Sequence, residues 1–164
     1  MGGKPLLRIS VCVLLIWLCA CANVSVLPPP DRQFPKARTY QLSYEEAWLR
    51  AVDWFADHNV TIEKIEKESG LLTAKYTLRV DDEYMDCGEF KVSGVLSSWT
   101  VTRIAWLNLT VRKISESRSK VSVNFFGRFS LAAHDAWDGT PISRRGPCVS
   151  TGSAEASILD TIGY

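Results

Sequence analysis

The stretch WTVTRIAWLNLTVRKI, residues 99–114, decides the fold. Its apolar residues share one face of an extended chain, and its polar residues share the other: Val101, Ala105, Leu107, Leu109 and Val111 against Thr102, Asn108, Thr110 and Arg112. This alternation predicts a long strand with one buried face. Residues 115–119 provide a turn, and residues 120–131 return through Val121, Val123 and Phe125, so the two segments predict a hairpin.

A helix is predicted before this hairpin. Ser43 is followed three residues later by Glu46, which is the pattern of a capping box at a helix start. Apolar residues then recur at the three-and-four spacing of a helix face: Tyr44, Ala47, Trp48, Ala51, Val52 and Phe55. Trp54 falls off that face, and the helix is expected to end near residues 58–59.

The remaining segments complete an α+β pattern. Strands are predicted over residues 39–42, 60–65, 72–80 and, more weakly, 90–95, whereas residues 132–149 are expected to form a loop. A C-terminal helix capped by Ser150 or Thr151 follows, with an apolar side of Ala154, Ile158, Leu159 and Ile162. Hairpin-connected strands with helices outside them predict a two-layer α+β domain over an antiparallel sheet.

The first twenty residues predict an export signal. Lys4 and Arg8 precede a ten-residue apolar core at residues 9–18. A helix of that length rises about 15 Å, roughly half the hydrocarbon thickness of a bilayer. We therefore expect a cleaved signal peptide over residues 1–20 and not a membrane span.

The residues after this core, Leu18-Cys19-Ala20-Cys21, resemble the lipobox of bacterial lipoproteins. The resemblance implies that a diacylglycerol is attached to the Cys21 thiol, followed by cleavage before Cys21 and acylation such as palmitoylation. Cys19 departs from the commoner Ala or Ser at its position. Ala22 is not the Asp that retains such proteins in the inner membrane of enteric bacteria, which implies the outer membrane, with the protein facing the periplasm.

Three triplets that match the acceptor pattern for N-glycosylation keep a secreted eukaryotic glycoprotein open as an alternative: Asn23-Val-Ser25, Asn59-Val-Thr61 and Asn108-Leu-Thr110.

The mature chain is expected to carry little net charge. Loss of residues 1–20 takes Lys and Arg from 19 to 17 against 18 Asp and Glu, which leaves about −1. A near-neutral chain gives no general argument for binding nucleic acid. Residues 21–37 contain Pro28, Pro29, Pro30 and Pro35, which predict a semi-rigid tether between the lipid and a single domain at residues 38–164.

Two cysteines remain once Cys12, Cys19 and Cys21 are set aside. Cys87 and Cys148 both lie beside turn-like residues, and in an oxidising periplasm they predict one disulfide. A catalytic or redox cysteine is the alternative, although the chain has no Cys-x-x-Cys pair.

The domain is also loosely similar to the small domains of outer-membrane lipoproteins of the BamC type. The resemblance rests on residues 40–48 (YQLSYEEAW), 59–65 (NVTIEKI) and 69–74 (SGLLTA), in addition to the lipobox and the tether. It implies a helix-grip-like fold. It also implies a role in outer-membrane protein assembly, although this chain has one predicted domain where BamC has two and carries the Cys87 and Cys148 pair.

Few side chains suggest chemistry. His58 is expected at a helix end, where a cation complements the helix dipole. His134 and Asp135 are a candidate half of a metal or acid–base pair, and the acidic residues 81–83 with Asp86 indicate a solvated turn without calcium-loop spacing. No catalytic set, metal site or cofactor is predicted. Exposed members of the six tryptophans are possible contacts to a partner.

These observations predict a non-enzymatic, membrane-anchored lipoprotein that serves as a binding or accessory subunit of a cell-envelope complex. An envelope protein partner is expected, with neither nucleic acid nor metal. The first alternative is a small-ligand binder or envelope enzyme that uses a cleft between the sheet and the C-terminal helix, with His134 and Asp135. The second is a surface-exposed or secreted structural protein.

Overall fold

The computed structural model describes residues 21–76 and 83–164. The predicted signal peptide, the last residues of the predicted strand at 72–80, and Asp81 and Asp82 lie outside the described residues. The strands are β1 Asn23–Leu27, β2 Ala37–Tyr40, β3 Ile62–Glu66, β4 Leu71–Tyr76, β5 Met85–Asp86, β6 Glu89–Ser93, β7 Leu96–Ser115, β8 Arg118–Asp135 and β9 Pro141–Ser150. The helices are α1 Tyr44–Asp57 and α2 Ser153–Gly163.

The predicted α+β class is confirmed. The larger sheet has the order β3-β4-β7-β8-β9-β5, with β2 also paired to β8, and the smaller sheet consists of β1 and β6. All of the strand pairs are antiparallel. One helix lies early in the chain and the other at its C-terminal end, as predicted.

Strands β7 and β8 form the predicted hairpin, but they are longer than the apolar pattern indicated. They comprise 20 and 18 residues, and the 18 residues of β8 extend about 55 Å at about 3.3 Å each. The inward face of the hairpin is buried along much of its length, from Val111 and Val121 near the turn to Leu131 and Ala133 near the far end. This inward face forms one side of the hydrophobic core.

Two different parts of the structure pack on this inward face of the hairpin. Helices α1 and α2 pack beside each other on the half of the hairpin nearest its turn. The small β1–β6 sheet covers the other half, where the rings of Phe90 and Phe129 meet edge-to-face at 5.0 Å.

The predicted start of α1 is confirmed. The Ser43 N–H donates to the Glu46 carboxylate at 2.9 Å, and the Glu46 N–H donates to Ser43 Oγ at 3.3 Å. Trp54, expected off the apolar face, is nevertheless buried. It stacks on His58 and packs edge-on against Phe55, because α2 closes over that side of the helix.

The segment at residues 132–149, expected to be a loop, is instead the end of β8, a short turn and strand β9. The sequence pattern did not indicate a strand here because the inward positions of β9 include Arg144 and Gly146 as well as Ile142 and Cys148. Pro147 is tolerated because β5 pairs with only the last two residues of β9, so that most of β9 is an edge strand.

Residues 21–37 also differ from the expected tether. Asn23–Leu27 form β1, which pairs with β6 along its whole length, and Val24 is fully buried. Only the proline-rich remainder of the segment lacks regular structure. Within the described residues, regular structure therefore begins at Asn23, two residues after Cys21.

The predicted disulfide joins Cys87, between β5 and β6, to Cys148 in β9. It links the small sheet covalently to the large one. With a sequence separation of 61 residues, the chain-entropy model gives this bond a stabilising effect of about 4 kcal/mol.

Glu155, in the first turn of α2, is a fully buried carboxylate. One of its oxygens accepts the Phe125 N–H of β8 at 3.0 Å, and the other accepts the Ser150 hydroxyl at the end of β9 at 2.6 Å. The cap of α2 is Gly152 with φ 94°, not the predicted Ser150 or Thr151. Ser150 instead accepts the Gly152 N–H and donates to Glu155.

We expect Glu155→Ala to lower the free energy of unfolding by about 2 to 5 kcal/mol, because it leaves a buried N–H and a buried hydroxyl without their acceptor. Glu155→Gln should lose less, since its amide oxygen can still accept one of the two bonds. The measurement is urea unfolding of the oxidised protein.

Asp160→Ala is the matched control on the same helix. Asp160 forms an exposed ion pair with Arg38, so its loss should change the free energy of unfolding by less than about 1 kcal/mol. Equal effects at the two acids would contradict the role assigned to Glu155.

Candidate functional site

Cys21 is exposed at one end of the β7–β8 hairpin and has a free thiol. The peptide N–H of Ala22, the next residue, donates to the Asp135 carboxylate at 2.5 Å. Arg144 of β9 holds the following residues: its guanidinium donates to the Val24 carbonyl and to the Asn23 side chain, both at 2.7 Å. The candidate lipid attachment point is therefore fixed to the domain at its first peptide bond.

Asp135 and His134 do not form the predicted acid–base pair. As neighbours in β8 they point to opposite faces of the sheet: Asp135 is buried, whereas His134 is exposed. The Asp135 carboxylate accepts two backbone N–H groups, from Ala22 and from Trp137, the latter at 2.7 Å. The His134 ring instead contacts the Ser98 hydroxyl at 3.3 Å. Asp135 is thus a positioning group for the backbone.

His58 lies at the end of α1, as predicted, and is its C-cap residue. Its Nδ1 lies 2.8 Å from the Trp54 carbonyl, and its ring stacks on the Trp54 ring. Among the described residues, no group of three or more His, Cys, Asp and Glu side chains converges where it could share a metal ion.

The cleft expected between the sheet and the C-terminal helix is small. Its volume is about 90 Å³, and it is lined mainly by aromatic and apolar side chains, among them Trp54, Tyr76, Tyr84, Phe125 and Ile158. Pockets for small-molecule ligands usually measure about 300–1,000 Å³. Neither His134 nor Asp135 lines it, so the structure does not bring the predicted polar set into the cleft.

The outer face of the large sheet, opposite the helices, carries an apolar patch that the sequence analysis did not identify. We call it the outer aromatic patch and define it as Trp106, Phe126, Arg128, Pro147 and Val149. The Trp106 and Phe126 rings stack at 5.9 Å, and the Arg128 guanidinium lies 5.0 Å from the Trp106 ring. Phe126, Arg128 and Pro147 are exposed, and together these side chains line a shallow depression with Arg145.

The outer face is also cationic. The described parts of β4, β7, β8 and β9 contain one acidic residue, Asp135, and it faces inward. Six Lys and Arg residues occupy outward positions on these strands: Lys75, Arg112, Arg118, Lys120, Arg128 and Arg145. Arg112 and Lys120 even lie directly opposite each other, an arrangement of like charges that costs stability.

The two helices, on the other side of the large sheet, carry six of the sixteen acidic residues in the described part of the chain, and one of the six, Glu155, is buried. Helix α1 has four acids and one Arg, and α2 has two acids and no base. The small net charge of the chain therefore conceals a cationic sheet face and an acidic helical face, and only the distribution of charge is informative about binding.

Asp86 accounts for part of the predicted acidic turn. Its carboxylate accepts the Gly88 N–H at 2.9 Å and the Arg32 guanidinium at 2.9 Å. The pKa of Asp86 is lowered, first by the hydrogen bond from the Gly88 backbone and then by Arg32. These contacts hold the turn that carries Cys87.

A scan against protein-family models and a search of curated proteins each found no match to this chain. None of the described helices is both long and apolar enough to cross a membrane.

The lowered pKa of Asp86 predicts how stability changes with pH. A carboxyl group whose pKa is lower in the folded state stabilises the fold above its unfolded pKa of about 4, and this contribution is lost as the pH falls through the folded pKa. We therefore expect Asp86→Asn to be less stable than the parent at pH 6. The difference should shrink as the pH is lowered towards 2, in unfolding curves of the oxidised protein. A difference that stays constant over this range would contradict the assignment.

Proposed function

We propose that this protein is a lipid-anchored lipoprotein of the bacterial cell envelope that serves as a non-enzymatic binding or accessory subunit. Cys21 carries the lipid in this proposal, the outer membrane is the expected location, and the domain faces the periplasm. The observation that carries the proposal is the position of Cys21: it is exposed, and the folded domain begins at the next residue, held by Asp135.

The signal-like segment and the Leu18-Cys19-Ala20-Cys21 motif support this role for Cys21. The disulfide between Cys87 and Cys148 supports an oxidising compartment, since such bonds are rare in the cytosol.

The outer aromatic patch is the proposed contact surface for an envelope protein. Aromatic residues and Arg are enriched at protein interfaces and contribute much of their binding energy. The patch combines both in one shallow depression, and its surroundings on the sheet are cationic. A partner with an apolar centre and an acidic rim would therefore complement it.

The first experiment is intact-mass analysis of the protein extracted from membranes, with and without reductant. We expect the mass of residues 21–164 plus a diacylglyceryl and an acyl group, and a gain of two hydrogens on reduction. The Cys21→Ser variant is the control, because it retains the disulfide and removes the attachment thiol. An unlipidated mass for the parent, or a mass raised by glycans, would refute the anchored lipoprotein.

The second experiment tests the contact surface. A photo-crosslinking benzoylphenylalanine at position 126 should give a discrete adduct in intact cells, and Arg128→Glu in the same chain should weaken it by reversing the charge beside Trp106. The control places the same group at Leu49, which is similarly exposed on α1. The surface is refuted if position 126 gives no adduct, if both positions give the same adducts, or if Arg128→Glu leaves the adduct unchanged.

A further inference from the structure

The end of the molecule that carries Cys21 also displays exposed apolar side chains. Trp137, in the turn between β8 and β9, is 87 % exposed, and Val95, between β6 and β7, is 71 % exposed. A tryptophan at such a position is unusual in a soluble domain, because its large apolar surface stays in contact with water. We call Val95 and Trp137 the apolar end.

Short contacts join the apolar end to Cys21. The two oxygens of the Asp135 carboxylate accept the N–H of Ala22 and the N–H of Trp137, so these two backbone segments meet at one side chain. The Ala136 N–H donates to the Val95 carbonyl at 3.0 Å.

Gly94 brings the third segment against Ala22. A Cβ atom at Gly94 would lie 2.8 Å from the Ala22 Cα, and the residue has a φ of 79°. The backbone next to Cys21 thus lies against both loops that carry the apolar end.

Two carboxylates lie at this end of the molecule. Asp138 follows Trp137, but its carboxylate accepts the Thr140 N–H at 2.8 Å within its own turn. That hydrogen bond also lowers its pKa. Asp138 therefore stays ionised and would lie among the headgroups and not in the hydrocarbon, whereas Asp135 is buried beneath the turn.

We infer that the apolar end rests in the interface of the phospholipid bilayer, with Trp137 inserted at the level of the headgroups. The inference rests on the proposed lipid at Cys21. A lipid on that residue places the adjoining backbone at the membrane surface, because no flexible residues separate Cys21 from the fold. Tryptophan favours this interface, where its ring is partly in apolar surroundings and its N–H meets water or headgroups.

The same geometry orients the whole molecule. Tyr164, which is 99 % exposed, lies at the opposite end, since Gly163 packs near the ring of Tyr40, which pairs with Ser119 beside the hairpin turn. With the apolar end at the membrane, Tyr164 points into the aqueous compartment, about 50 Å away along the strands.

The test uses the lipidated mature protein in vesicles of phosphatidylethanolamine and phosphatidylglycerol. A nitroxide is attached at position 137 in the Trp137→Cys variant and, as the matched control, at position 164 in the Tyr164→Cys variant. Both positions are highly exposed, so both variants should fold, and intact mass verifies the lipid and the disulfide. The readout is collision of each nitroxide with oxygen, which concentrates in lipid, and with a water-soluble nickel chelate.

We expect the label at position 137 to favour oxygen over the chelate severalfold more than the label at position 164 does. If the protein is lipidated and both labels collide with the chelate equally, the inference is overturned while the lipid anchor stands. A label at 137 shielded from both reagents overturns it in favour of a protein contact. An unlipidated Cys21 refutes the anchor and this inference together, and intact mass distinguishes that case from the others.

Discussion

The structure depends on how the backbone groups along the second edge of β8 are paired. One edge of this long strand pairs with β7, but the other is shared by two separate strands: β2 reaches residues 119–122 and β9 reaches residues 126–134. Between them, the N–H groups of Val123 and Phe125 need acceptors, because an unpaired backbone N–H is costly in a protein interior. The Lys36 carbonyl accepts the first and the Glu155 carboxylate accepts the second. Closing this gap with a side chain of α2 fixes the C-terminal helix against the sheet, and α1 then packs against α2.

Asp135 accepts backbone N–H groups at the far end of the same strand. There the sheet has no helix to cover it, and the chain uses its own N-terminal segment as β1, held by Asp135 and Arg144. The disulfide at Cys148 holds the start of β6, the partner of β1. The half of the core far from the hairpin turn therefore depends on three anchors of different chemistry. As a result, Cys21 lies at the open end of the hairpin, opposite its turn, and not on a free tether.

The parts of this fold that were predictable from the sequence are those encoded by local patterns. The capping box at Ser43 and Glu46, the alternation in residues 99–114 and the pairing of the last two cysteines all read correctly, because each depends on near neighbours or on elimination. Strands β1 and β9 were missed. The partner of β1 is distant in the chain, and the inward positions of β9 include Arg144 and Gly146, which carry no apolar signal. The outer aromatic patch was missed for the same reason, since Trp106 and Phe126 meet only through the register of β7 with β8.

The distance between the outer aromatic patch and the apolar end determines what the positive charge of the sheet can act on. Phe126 lies nine residues before Asp135 in β8, so the outer aromatic patch lies about 30 Å from the apolar end along the strand. With that end at a bilayer, the patch would face sideways, perpendicular to the membrane normal. At about 30 Å it would lie more than three Debye lengths from the lipid headgroups at physiological salt, where the Debye length is about 8 Å. Its positive charge would then act on a neighbouring protein and not on the membrane beneath. A rigid attachment at Ala22 keeps the cationic face directed at a neighbouring protein, because a long flexible tether would let that face turn towards anionic lipid.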